Sequence, residues 1–103
     1  MFPRLLVSLY PTNMLTPEFI NEPILVQARF LPDGDVQPHA FTWRERVRPI
    51  ADWGRQWDET SDGVQWRCHL VRTADGETFE LRFAVATGRW LLHRAWLRAA
   101  AAA

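Results

Sequence analysis

The chain has no lysine: all twelve of its cationic side chains are arginine, set against twelve Asp and Glu. The resulting zero net charge excludes a dominant long-range pull toward nucleic acid or an acidic membrane surface. Arginine-only usage has two readings. One is the codon composition of the genome, since the excess is spread along the chain; the other is selection for bidentate contacts to phosphate or carboxylate, which a planar guanidinium suits better than an ammonium. Cysteine is nearly absent too. With Cys68 alone no intrachain disulfide can form, which excludes a disulfide-stapled secreted scaffold and fits a reducing cytoplasm. No apolar run is long enough to span a bilayer. Leu5 to Tyr10 follows Arg4 but is closed by Pro11 after six residues, too few for a signal-peptide core, so a soluble chain with no membrane partner is expected.

Catalytic and cofactor signatures are missing as well. The five glycines are isolated turn residues, with no phosphate-cradling or dinucleotide pattern. Cys68-His69 invites a nucleophile and base reading, but adjacent strand residues point to opposite faces and cannot form a dyad. Cys68, sharing a face with Trp66 and Leu70, reads as a small core hydrophobe, and His69 as a water-facing residue beside Arg67. His39, His69, His93 and Cys68 lie on three strands without zinc-motif spacing, so neither metal nor cofactor is expected. Asp75, Glu77 and Glu80 gather near one hairpin and read as a solvated, sign-mixed face. An enzyme is not expected.

What is present is a pattern of strands. In Phe79, Leu81, Phe83 and Val85 apolar residues recur at every second position, interleaved with Glu80 and Arg82, as in a strand with one wet face. Asp75-Gly76 and Thr87-Gly88 supply the turns on either side. Ile24, Val26, Ala28 and Phe30 alternate with Leu25, Gln27 and Arg29 before the Pro32-Asp33-Gly34-Asp35 turn. Further strands are predicted over about 37–43, 46–53, 64–73, 77–85 and 89–97, with Pro38 restricting its strand to an edge or bulge and the polar stretch 54–63 read as a solvated loop. The fold class is therefore all-β: an antiparallel six-stranded meander curled into an SH3-like barrel or a strongly bent sheet, as one domain over residues 23–97.

Two terminal segments differ. Residues 1–22 hold three of the seven prolines and read as an extended apolar arm, with Thr16-Pro17-Glu18 able to start one helical turn and Met14 a candidate true start. Such a surface either packs on the barrel or docks elsewhere. The tail 98–103 is alanine-rich and too short for an independent helix, with a stretch of unidentified side chains as the other reading.

Six Trp, six Phe and one Tyr leave some indoles for a half-exposed surface. Trp43-Arg44-Glu45-Arg46-Val47-Arg48 places Arg44, Arg46 and Arg48 on one face beside Trp43, and Arg89, Trp90, Arg94 and Trp96 form a second such set. Bases stack on indoles while guanidinium groups hold phosphate, which is how single-stranded nucleic acid is commonly bound. The alternative is that the tryptophans are core and the arginines solubilise the sheet.

Phe19 to Ile24, Phe41 to Arg44, Trp53, Leu70 to Leu81 and Thr87 to Leu92 resemble an uncharacterised family of short bacterial Trp/Arg-rich domains that accompany Y-family translesion DNA polymerases. The resemblance covers residues 19–97 and carries no catalytic residues. It implies an accessory, non-enzymatic role in DNA repair or replication, with single-stranded nucleic acid or a DNA polymerase-associated protein as partner. The rival expectation is a protein-interaction module or structural subunit that docks a partner chain through its aromatic surface and arm.

Overall fold

The computed structural model describes residues 16–97, and these form one antiparallel sheet of seven strands with no helix. In chain order the strands are β1 (Glu18–Pro23), β2 (Leu25–Phe30), β3 (Val36–Trp43), β4 (Arg46–Ser61), β5 (Val64–Thr73), β6 (Thr78–Ala84) and β7 (Trp90–Trp96). Strands β2 to β7 follow one another as a meander, and β1 adds to the outer side of β7, giving the order β1-β7-β6-β5-β4-β3-β2. The all-β, strongly bent sheet expected from the alternation is present; the closed barrel is not. The expected strands number six because residues 18–22, nearly all of β1, read as part of a proline-rich arm. Pro17 and Pro23 fall at the two ends of β1, where a missing N–H costs a ladder nothing, and an edge strand tolerates them. Leu5 to Tyr10, Met14 and the alanine tail lie outside the described residues.

The sheet curls on itself around one core. Phe41 on β3 and Phe79 on β6 have two strands between them in the order, yet their rings meet edge to face at 5.0 Å. Trp43 joins them 5.9 Å from Phe79, and Ile50, Val71, Leu81, Leu92 and Ala95 complete the cluster. The bend is made by β4. Its first residues pair with β3 up to Pro49, its remainder pairs with β5 from Ile50 onward, and its ladder slips at Ile50/Asp52 and again at Trp53/Gln56. Such bulges bend a strand and increase its twist. Pro38 is accommodated by the same device, facing Ala28 just past a register shift in β2.

The expected loop at 54–63 is a strand instead. Its polar side chains have partners along the neighbouring strands: Arg67 donates to Asp58 at 2.5 Å, and Arg82 to Glu59 at 3.1 Å. Only Asp62 and Gly63 turn the chain, both with positive φ (52° and 77°) as a two-residue type I′ hairpin requires. The stretch is polar and largely exposed, as expected, but ion pairs to β5 and β6 help hold it in the sheet as a strand.

Because β1 and β2 are consecutive, separated by Ile24 alone, the two edges of the sheet are two halves of one segment. The Ile24 amide donates to the Trp90 carbonyl at 3.3 Å, tying that junction to the start of β7. Beyond it β2 pairs only with β3 among the described residues, which leave its other edge open.

Candidate functional site

The arginine hairpin is held by strain and by acids. Arg44 and Glu45 form a two-residue turn in the left-handed region (φ 53° and 63°), a conformation usually given to Asn-Gly. Trp43 and Arg46 pair across it and share a face, so Arg46 and Arg48 lie on the Trp43 side. Trp43 is buried, its indole N–H donating to Glu22 at 3.0 Å. Arg44 folds back over that ring at 4.1 Å, and Arg48 covers it at 4.9 Å.

The stripe is therefore assembled, but it is not a bare cationic surface. Arg48 is buried and donates to Glu77 at 3.3 Å, and Arg46 stands 3.7 Å from Asp75. Both acids belong to the β5–β6 hairpin, whose Asp75 carboxyl is held below its ordinary value chiefly by the Thr73 hydroxyl bonded to it. Of the three arginines only Arg44 has no ion pair among the described residues.

Arg89 and Arg94 do not join this cluster. Arg48 meets Glu77 at the beginning of β6, whereas Arg89 is bonded through its carbonyl to Ala84 at the other end, about 20 Å away at the rise of a strand. Arg94 lies on the opposite face from Phe79, paired with Glu80. There Glu80 is fully buried, which corrects the expectation of a wet face. One oxygen accepts from Arg94 at 2.6 Å and the other from Arg82 at 2.8 Å, while Arg82 also reaches Glu59 at 3.1 Å. Trp57 donates its indole N–H to Glu59 and holds that carboxyl below its ordinary value. Two acids and two guanidinium groups neutralise one another, so this face can be covered despite its charged sequence.

Cys68 and His69 point to opposite faces, as their adjacency requires, and both are buried. Burial pushes the Cys68 thiol up to about 11, which leaves it protonated and unreactive at neutral pH. The water-facing position expected for His69 is corrected: β5 is an interior strand flanked by β4 and β6, and the His69 ring packs 5.5 Å from Trp90 on the core side. Its Nε2 has no hydrogen-bond partner among the described residues, and burial pushes its pKa down to about 4. His93 is lowered as well, again mainly by burial, with Nδ1 donating to Asn21 at 2.6 Å. No three His, Cys, Asp or Glu side chains among the described residues are grouped to hold a metal ion.

A histidine kept neutral by the fold makes stability depend on pH. Between about 4 and 6.5 the unfolded chain binds the proton that folded His69 refuses, so stability rises with pH through that window. The loss on acidification should approach roughly 3 kcal/mol, from about 1.4 kcal/mol per pH unit. Denaturant melts of the parent and His69→Gln between pH 4.5 and 7 test it: the parent midpoint should fall on acidification and the variant's should fall less. Asp35, Glu59 and Asp75, all lowered, begin to act only below their ordinary values of 3.8 to 4.5, at the foot of this window, while His93, also lowered, adds to the same trend within it and is left in place by the variant.

The feature the sequence motifs do not mark is a groove at the open seam. It has a volume of about 590 Å³ and runs between the start of β2, at Leu25 and Val26, and the β6–β7 turn at Gly88 and Arg89, with Trp66 of β5 and Trp90 of β7 beside it. Leu25 and Phe30 on β2 are 77% and 74% exposed, and Phe19 on β1 is 66% exposed. The sequence signal for it is Leu25 itself, an aliphatic residue in the polar phase of the Ile24 to Phe30 alternation. Trp53, though 42% exposed, is committed through its N–H to the Pro38 carbonyl at 2.7 Å.

No protein-family model, curated protein or solved structure matches the chain. Among the described residues no helix is long and apolar enough to cross a membrane.

Proposed function

We propose that this domain is a non-enzymatic docking module that takes an extended segment of a partner protein along the open edge of β2. The observation that carries the reading is the coincidence of a strand edge unpaired among the described residues, two large exposed apolar side chains on it, and the seam groove beside it. An edge strand presents a row of unsatisfied N–H and C=O groups, and exposed hydrophobic edges are ordinarily avoided because they invite pairing. Adding a strand satisfies those groups, while pockets at alternate side chains supply selectivity. The resemblance of residues 19–97 to polymerase-associated domains supports seeking that partner among proteins of DNA damage tolerance.

Single-stranded nucleic acid is the second reading, favoured by Arg44 stacked on Trp43 at an exposed, strained hairpin tip. One experiment separates the two. The immobilised full chain is offered a display library of random eight-residue peptides and, in parallel, a labelled single-stranded oligonucleotide at about 50 mM salt, where phosphate contacts are strongest. Docking at β2 should return peptides whose binding falls at least about tenfold in Leu25→Gln/Phe30→Gln, a pair of surface changes expected to leave the melting temperature nearly unmoved. Oligonucleotide binding lost in Arg44→Gln/Arg46→Gln, with no peptide enriched, would favour the nucleic-acid reading instead.

A further inference from the structure

The groove has a charge as well as a shape. Among the described residues its lining is otherwise apolar or backbone, its one ionised side chain is the guanidinium of Arg89, and no carboxylate lines it. Arg89 is exposed and makes no ion pair among the described residues, in contrast to Arg46, Arg48, Arg67, Arg82 and Arg94. Its backbone is fixed on both sides, the carbonyl accepting from Ala84 at 2.8 Å and the amide donating to the Thr87 hydroxyl at 3.4 Å. The cation is thus anchored at the rim, while Leu25 and Trp90 form the walls. Four residues along β2 from Leu25 stands Arg29, also exposed and without an ion pair among the described residues. Among the described residues five arginines are matched to acids, and of those that are not, Arg29 and Arg89 stand along the same strand edge.

Resting on the docking reading above, we infer that the occupant is an acidic-aliphatic peptide segment: an extended stretch with aliphatic side chains at alternate positions and a carboxylate placed to meet Arg89. A guanidinium binds a carboxylate through two parallel N–H donors, so the pair fixes register and direction, which backbone bonds along a strand edge leave free to slip. Apolar side chains one residue either side of the acid then fall toward Trp90 and Leu25, since alternate residues of a strand point the same way. A basic segment is disfavoured at the same place by like charge on both Arg89 and Arg29.

The test uses the full chain and a synthetic, labelled eight-residue probe with the aliphatic pattern of a peptide enriched from the library. The probe is made in two forms, one with glutamate and one with lysine at the intervening positions. By fluorescence anisotropy the glutamate form should bind about tenfold more tightly than the lysine form, with the difference shrinking as salt rises. Arg89→Glu should reverse the order. Equal binding of both forms, unchanged in Arg89→Glu but lost in Leu25→Gln/Phe30→Gln, would overturn the acidic specificity and leave the docking reading standing. Binding unaffected by the β2 changes would overturn both.

Discussion

Replacing Phe79 by alanine should cost about 3 to 5 kcal/mol and lower the melting temperature by well over ten degrees. Phe79 is fully buried and is the residue through which the curled sheet touches itself: Phe41 meets it edge to face at 5.0 Å, Trp43 at 5.9 Å, and the Arg48 guanidinium lies over its ring at 5.7 Å. The cavity would open between strands that are not hydrogen-bonded to each other, so neither side can collapse without unbending β4. Phe83 serves as the internal comparison. It shares the Phe79 face but is only half-buried, against Trp90 at 4.9 Å, and its alanine variant should lose distinctly less. Urea melts of both variants measure the difference; equal, small losses would place the core elsewhere.

The second large effect is expected on the other face of the same strand. Glu80→Ala removes the acceptor shared by Arg82 and Arg94 and leaves Arg82, itself nearly covered, with Glu59 as its remaining ion-pair partner among the described residues. Breaking a buried ion pair from one side typically costs about 3 to 5 kcal/mol, because the surviving charge is left without compensation. Taking away the surviving charge should therefore give back part of the loss. Glu80→Ala/Arg82→Met should be no less stable than Glu80→Ala alone, a coupling on the order of 1 kcal/mol or more in a double-mutant cycle. Additive losses would mean that the two groups contribute independently.

Much of this fold can be read from the sequence, and where the reading fails the cause is the same each time. Alternation at Phe79, Leu81 and Phe83 locates the core face, and Gly76 and Gly88 locate two of the turns. Alternation says nothing of how a polar residue is partnered. Glu80 and Arg82 read as solvated because charged side chains ordinarily are, yet with Glu59 and Arg94 they satisfy one another across β4, β6 and β7. Such pairing is long-range: Arg82 and Glu59 are 23 residues apart in sequence. His69 fails for a related reason, since an interior strand is covered on both sides and period two cannot distinguish two covered faces. The arginines of the hairpin were visible as a motif, but the acids opposite them, Asp75 and Glu77, belong to a different hairpin that only the bend in β4 brings near. The groove was the least legible feature. It arises from the failure of β2 and β7 to meet, a property of the whole sheet, and Leu25 was its single local trace.

The central claim is that β2 offers a free edge to a partner strand, and backbone amide exchange of the full chain with and without a bound library-selected peptide measures it directly. Amides within Leu25 to Phe30 should include a set that exchanges rapidly in the free protein and becomes protected on binding, with those of Arg44 to Arg48 unchanged. Protection confined to the Arg44 to Arg48 hairpin, or peptide binding that leaves β2 exchange unaltered, would contradict it.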